Sequence, residues 1–357
     1  MTGRLTDALR DALAVVAPGK PLREGLDRIL QSKMGALIVV GDGPEVLNIC
    51  SGGFLLDAAY SPQRLSELAK MDGAIILASD ASRIARANVH LVPNPNVPTS
   101  ETGTRHRTAE RVARSIDVPV ISVSEDLGII AAYVGDRKHP LESIPRLLDR
   151  ANQALQTLER YRTRLDEVSA CLSALEVEDF VSLRDVAINL QRAEMVVRIA
   201  DEIEEYAVEL GTDGRMVRLQ LDEVLGSAVD ERRLILRDYL HDGRPEAVAD
   251  AMAELAALDT ESLVDLKAVT PVLHLPEGHD DLDMTLEPRG YRLLSKVPRL
   301  PEAVAERIVA HFGHLSKIMR ATIDDLDDVE GVGETRARAV KEGLVRLAES
   351  SLLDRFG

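Results

Sequence analysis

Aromatic side chains make up only 3% of the 357 residues, and tryptophan is absent. Cores must therefore be built from Leu, Val, Ile and Ala, which suits helices and a small sheet. Cysteine is almost as scarce. Cys50 and Cys171 lie far apart in apolar contexts and read as buried thiols in a reducing compartment, not as a disulfide or a metal site. No apolar run approaches the roughly 18 residues of a membrane span. The start, Met1-Thr2-Gly3-Arg4-Leu5-Thr6-Asp7, is too polar for a signal peptide, so a cytoplasmic protein with no membrane partner is expected. A P-loop is also missing: Gly41-Asp42-Gly43-Pro44 runs on without the Gly-Lys-Ser/Thr that motif requires.

A basic excess is lacking as well, since the formal net charge is −17. That charge is unevenly spread. Residues 1–145 sum to −1, residues 291–357 sum to zero, and residues 146–290 carry −16. The middle would repel nucleic acid, and both ends are free to bind anions locally.

The length suits two or three domains. Residues 1–145 read as an α/β domain with a mixed sheet and helices on its faces. Helices are expected over Leu5–Val16, Leu22–Gln31 and Arg64–Lys70, and strands over Ala36–Val40, Val118–Val123 and Gly128–Val134. Gly41-Asp42-Gly43-Pro44 reads as a hairpin turn, with Val46–Cys50 as the returning strand. The prolines and asparagines of 89–98 predict an extended or turned loop. Residues 146–288 read as an acidic all-α spine. Leu155, Leu158, Leu165, Val168, Leu172 and Leu175 form a packing stripe, which offers a surface for self-association. The run Asp201, Glu202, Glu204, Glu205, Glu209 reads as a solvated helix face, because consecutive carboxylates point around a helix instead of converging.

Residues 289–357 contain Leu326-Asp327-Asp328-Val329-Glu330-Gly331-Val332-Gly333-Glu334-Thr335-Arg336-Ala337-Arg338, which matches a helix-hairpin-helix. Gly331 and Gly333 permit a tight turn, and Val332 would anchor it. The turn's N–H groups, with Arg336, Arg338 and Lys341, would take DNA phosphates without reading sequence. Packing alone is the alternative. Leu294–Ala305 looks like a degenerate first copy, with Pro298 and Arg299 where turn glycines would stand.

Two N-terminal motifs carry chemistry. Gly103-Thr104-Arg105-His106-Arg107-Thr108 opens a helix whose apolar face is Val112, Ala113 and Ile116. A helix start attracts anions, and arginine forks and hydroxyls there make a phosphate site. On its own the segment could equally be a solvated helix start. Met71-Asp72-Gly73-Ala74 runs into the apolar Ile75-Ile76-Leu77. That puts a carboxylate at the mouth of a core strand, where it could hold a divalent cation or accept a hydroxyl proton.

Asp72-Gly73-Ala74 and Arg105-His106-Arg107, flanked by Gly35-Ala36-Leu37-Ile38-Val39 and Val123-Ser124-Glu125, resemble the paired signatures of the diadenylate cyclase family. The layout of the whole chain is similar to the DNA integrity scanning branch of that family. The resemblance implies condensation of two ATP into cyclic di-AMP with release of two pyrophosphates. It implies Asp72 as metal ligand or base with Mg2+ or Mn2+, and Glu125 as a further ligand. Gly73, Ala74, Leu91, Thr104, Arg105, His106, Arg107, Thr108 and Ser124 would hold the nucleotide, with Gly73 letting the backbone approach it and Leu91 against the base. It further implies face-to-face sites in a homo-oligomer that reaches an octamer, and binding of branched DNA such as Holliday junctions. A non-catalytic ATP sensor and a DNA-repair enzyme are the competing readings.

Overall fold

The computed structural model describes residues 5–226, 228–276, 278 and 281–356, with the side chains of 229 and 350–356 outside the description. Met1–Arg4, part of the polar start discussed above, lie outside it. The chain forms two compact units, 1–154 with 202–221, and 155–201 with 222–357.

The first unit runs α1 (Asp7–Val16), α2 (Pro21–Gln31), β1 (Ala36–Val40), α3 (Pro44–Asn48), β2 (Cys50–Ser51), β3 (Phe54–Ala59), α4 (Pro62–Leu68), β4 (Ala74–Leu77), β5 (Arg83–Leu91), α5 (Thr104–Ile116), β6 (Val120–Ser124), β7 (Ile129–Val134) and β8 (Arg137–Pro140). The sheet order is β2-β5-β4-β1-β6-β7-β8, with β3 also on β5. Among the described residues of this sheet only β1 and β4 pair in parallel; the other ladders are antiparallel. The mixed sheet expected from the sequence is therefore present.

Alternation along the strands sends residues to opposite faces. Ile38, Ile75, Leu77, Ile121 and Val123 pack with Leu9, Leu13, Leu26, Ile29 and Leu65 of α1, α2 and α4. Leu37, Val39, Ile76, Val120 and Tyr133 pack with Ala109, Val112 and Ala113 of α5. Both faces of the central strands are covered, which explains why β1 and β4 read as unbroken apolar runs.

Three local expectations are corrected. The hairpin after β1 does not form: Pro44 occupies the first helical position after Gly43, so the chain turns into α3, whose Val46 is buried. Strand β1 pairs instead with the distant β4 and β6. The proposed loop at 89–98 begins as strand, because Val89 to Leu91 pair within β5 against β4 and β2. Cys171 is exposed and Cys50 half-buried; both are free thiols, as expected, but neither is fully buried.

The remaining elements are α6 (Ile144–Glu178), β9 (Val181–Ser182), α7 (Leu183–Leu210), α8 (Arg215–Leu225), α9 (Ala228–Tyr239), α10 (Pro245–Ala257), α11 (Thr260–Val264), α12 (Leu266–Val269), β10 (Thr285–Leu286), α13 (Tyr291–Ser295), α14 (Glu302–Phe312), α15 (Leu315–Arg320), α16 (Ile323–Asp327) and α17 (Gly333–Phe356). The stripe along α6 is buried at Leu155, Leu158, Leu165 and Leu172. Not all of the acidic run is solvated. Within the first unit, Glu209 is buried because it accepts from His139 Nε2 at 2.9 Å and from the Glu142 N–H at 3.0 Å.

The second unit holds a buried ionic cluster. Arg292 of α13 is fully buried and pairs with Glu176 at 2.9 Å and Glu231 at 2.7 Å. Its guanidinium also donates to Ser173 Oγ at 2.7 Å and Ser169 Oγ at 2.9 Å. The Asp238 carboxylate accepts the N–H groups of Gly290, Tyr291 and Arg292 at the start of α13. Position 289, where the sequence places a boundary, lies beside this cluster and inside one compact unit.

Candidate functional site

A cavity of about 630 Å³ in the first unit is lined by residues from four strands and one helix start. Asp72, Gly73 and Ala74 come from the mouth of β4, and Leu91 from the end of β5. Thr104, Arg105, His106 and Thr108 come from the first turns of α5, and Ser124 and Glu125 from the end of β6. Segments as far apart in sequence as Leu37 of β1 and Leu127, just after β6, thus meet in one place. Arg107 alone among the expected first-unit residues does not line the cavity; it is exposed on another side of α5.

The N-cap of α5 is Gly103, which has no side chain to cap the helix. The N–H groups of the first turn are therefore left for an anion in the cavity. Arg105 adds a charge held in place by Gly35: a methyl group at 35 would stand 2.7 Å from Arg105 Cζ. Among the described residues no carboxylate pairs with Arg105. Ser124 is buried and its Oγ accepts from the Leu127 N–H at 3.3 Å, so its own proton remains to be donated. Thr108 differs, because its hydroxyl already donates to the Thr104 carbonyl at 2.9 Å.

Gly73 is needed for a protein contact. Its φ is +144°, and a Cβ there would meet the Asn88 backbone of β5 at 2.8 Å. The close approach expected at this glycine is thus made first of all by β5, although residue 73 also lines the cavity.

His106 Nδ1 lies 2.9 Å from Ser122 Oγ and 3.0 Å from Tyr133 Oη. Burial pushes its pKa below the ordinary value; Glu101 opposes the shift, and Lys138 and Arg105 add to it. Behind the helix, the buried Glu110 accepts from Thr99 Oγ1, the Ser100 N–H and Ser100 Oγ, and pairs with Arg114. Burial alone would raise its pKa, but those bonds outweigh it and hold the carboxyl below the usual range. Arg111 and Arg114 donate to the carbonyls of Val97 and Pro98. The Pro/Asn-rich loop is thereby fastened to the back of the helix whose front faces the cavity. Glu110, Ser122 and Tyr133 were not identified from sequence. The one available signal was the alternation Val120–Ser124, which puts Ser122 and Ser124 on the face that α5 covers.

In the second unit, Gly331 and Gly333 take φ values of +78° and +68° between α16 and α17, and Val332 is buried. Arg336 Nη1 donates to the Gly331 carbonyl at 3.0 Å. Arg338 pairs with Glu334 at 2.9 Å. Lys341 is occupied: its Nζ donates to the carbonyls of Met319 and Ala321, at 2.9 and 2.7 Å, at the C-terminal end of α15. Arg307 of α14, not singled out from sequence, lies against the turn; a Cβ on Gly331 would stand 2.8 Å from its Nη2. In the degenerate copy Arg299 adopts φ +61°, and Val297 packs on Gly343 of α17.

Comparison with known proteins gives matches at both levels. Residues 23–138 match the family model described as DisA bacterial checkpoint controller nucleotide-binding, and residues 141–282 match the DisA bacterial checkpoint controller linker region. The chain is 57% identical over 351 residues to the DNA integrity scanning protein DisA of Frankia alni, covering 98% of each. It is 57% identical to the protein of that name from Kineococcus radiotolerans, again covering 98% of each chain. Against its Streptomyces coelicolor counterpart the identity is 52%, over 98% of this chain and 94% of the other.

Proposed function

The chain belongs to the DNA integrity scanning protein DisA family, and from that premise we propose how its cavity works as a diadenylate cyclase. Two ATP molecules are joined into cyclic di-AMP. The 3′-hydroxyl oxygen of each nucleotide forms a bond to the α-phosphorus of the other. The bond from that phosphorus to the bridging oxygen breaks, pyrophosphate leaves, and the hydroxyl proton passes to a base or to solvent. The protein's task is to position two nucleotides and offset their charge.

The observation that carries this reading is the meeting of Asp72 with the open start of α5 in one cavity. Arg105 and the free N–H groups of α5 would bind the departing phosphates, Ser124 would donate to a phosphate oxygen, and Leu91 would contact the base. Arg107, exposed on another side of α5, would reach phosphate only across to a second copy.

Asp72 and Glu125 both line the cavity. Among the described residues no three His, Cys, Asp or Glu side chains are grouped to hold a metal by themselves. Two carboxylates nevertheless fit Mg2+ or Mn2+, which commonly share their shell with substrate phosphates and water. When bound, such an ion would lower the hydroxyl's pKa and offset phosphate charge. Asp72 is the residue that would hold it beside the attacking hydroxyl, or take the proton itself.

One cavity holds one ATP, so ring closure needs a second cavity facing the first across a twofold axis. A homo-oligomer, an octamer in our reading, supplies it. The Gly331–Gly333 turn with Arg336 and Arg307 would take the backbone of branched DNA such as a Holliday junction. Among the described residues no helix is long and apolar enough to cross a membrane, and we place the protein in the cytoplasm.

The test is Asp72→Asn, with ATP and Mg2+ or Mn2+ and chromatography of the products. The fold should be kept and cyclic di-AMP should disappear, as it should from the wild type after chelation of the metal. Wild-type turnover by Asp72→Asn would refute the assigned role.

A further inference from the structure

Behind the cavity, a chain of polar groups runs from His106 into the sheet. Ser122 of β6 and Tyr133 of β7 are almost wholly buried and lie on the sheet face covered by α5. His106 Nδ1 contacts both hydroxyls. Tyr133 Oη donates to Glu101 Oε1 at 3.2 Å, and the same carboxylate oxygen pairs with Lys138 Nζ of β8 at 2.6 Å.

The direction of every donor along this chain follows from its far end. Glu101, paired with an ammonium, is an ionised carboxylate and can only accept. Tyr133 must therefore spend its single proton on Glu101. Its oxygen then has only lone pairs to offer to His106. A contact of 3.0 Å between Tyr133 Oη and Nδ1 is attractive only if Nδ1 bears the proton; two lone pairs would repel. Ser122 Oγ then accepts from the same Nδ1–H. One nitrogen of the neutral ring is protonated, so Nε2 carries the lone pair.

We infer that Ser122, Tyr133 and Glu101 are positioning residues that fix His106 as the Nδ1–H tautomer, so that Nε2 meets the nucleotide as a hydrogen-bond acceptor. His106 therefore differs in kind from the arginines beside it. A bare nitrogen cannot donate to phosphate oxygen; it takes a hydrogen bond from an O–H or N–H donor. In a cavity that holds ATP, those donors are the ribose hydroxyls and the adenine amine, not the phosphates. This assignment of the ligand group rests on the reading under Proposed function, whereas the tautomer does not. The charged groups facing the imidazole are Arg105 on its own helix, Lys138 of β8 and Glu101 of the loop before α5.

The experiment is nitrogen NMR on the full-length protein labelled with ¹⁵N-histidine, without nucleotide, at neutral pH. The chain has 8 histidines, and the His106 signals are identified by their loss in His106→Gln. The expected wild-type result is a protonated Nδ1 and an unprotonated Nε2. Tyr133→Phe should shift the ring to the other tautomer or to a mixture. It should also lower kcat for cyclic di-AMP by about tenfold or more while KM for ATP changes little. Glu101→Met, which keeps much of the shape but removes the acceptor that takes the Tyr133 proton, should shift the tautomer in the same direction and serves if the buried Tyr133→Phe does not fold. A wild-type ring protonated at Nε2 would overturn the inference. So would variants with an unchanged tautomer and unchanged kcat. If the tautomer is as expected but the wild type makes no cyclic dinucleotide, the cyclase reading fails and the positioning role stands.

Discussion

Gly35, at the entrance to β1, and Arg105, in the first turn of α5, are in contact: the guanidinium lies where a side chain on residue 35 would be. They are 70 residues apart in sequence, and one sets the position of the other. The arginine that faces the phosphates is aimed by the absence of a Cβ on a neighbouring strand.

Gly35→Ala should therefore damage function more than stability. The clash is with the far end of a flexible side chain, which can swing away without disturbing the backbone. We expect a thermal unfolding midpoint close to wild type and a loss of kcat/KM for ATP of about tenfold or more, the scale of a misplaced charge-assisted hydrogen bond. Wild-type kinetics would show that Arg105 works equally well elsewhere.

The pH dependence follows from His106. Burial places its folded-state pKa below the ordinary value of 6.5. The folded protein thus prefers the neutral ring, and the resulting stabilisation is present above 6.5 and lost as pH falls through the lower folded value. A neutral ring is also what an accepting Nε2 requires. The acid limb of kcat/KM should lie below pH 6.5, and a limb above that value, measured with the metal held saturating, would contradict it.

Removing one partner from the buried Arg292 cluster should be costly. Glu176→Leu leaves the fully buried guanidinium without the carboxylate that holds it through both oxygens, since Glu231 alone then opposes it. A loss of about 3–5 kcal/mol is expected for breaking such a pair, readable by denaturant unfolding. For the same reason, deletion of 289–357 removes Arg292 and strands Glu176 and Asp238. A shortened chain would then confound lost DNA binding with damaged packing, so point substitutions are the better probe.

Arg307→Ala should weaken binding to a four-way junction while leaving cyclic di-AMP synthesis without DNA unchanged. Its guanidinium lies against the Gly331 turn and has no carboxylate partner among the described residues. If it neutralises one phosphate, the slope of log affinity against log salt should fall by about one. Lys341→Ala should act differently, through the packing of α15, because its ammonium is already bonded to two carbonyls. Unaltered affinity and slope in Arg307→Ala would remove that residue from the interface.

Much of the first unit could be read from the chain directly. The unbroken apolar runs of β1 and β4 announced buried strands, and Asp72 and the Thr104–Thr108 segment identified themselves by residue type. The false hairpin after β1 shows the limit of such reading. Gly-Asp-Gly-Pro is a good turn, but whether a hairpin follows depends on which strand offers a partner, and β4 and β6 outcompete the local segment. The solvated reading of Glu209 fails similarly, since its burial depends on His139 and Glu142, some 70 residues away.

By itself, then, the order of residues settled which side chains carry charge and donors, where helices must begin, and which strands must be covered on both faces. Those properties belong to single residues and their near neighbours, and periodicity exposes them. Folding alone decided that Gly35 aims Arg105, that Ser122 and Tyr133 take His106 Nδ1, that Arg307 reaches the Gly331 turn, and that Arg107 stays outside the cavity. Each is a distance between atoms far apart along the chain, set by sheet order and helix rotation, and no local pattern encodes it.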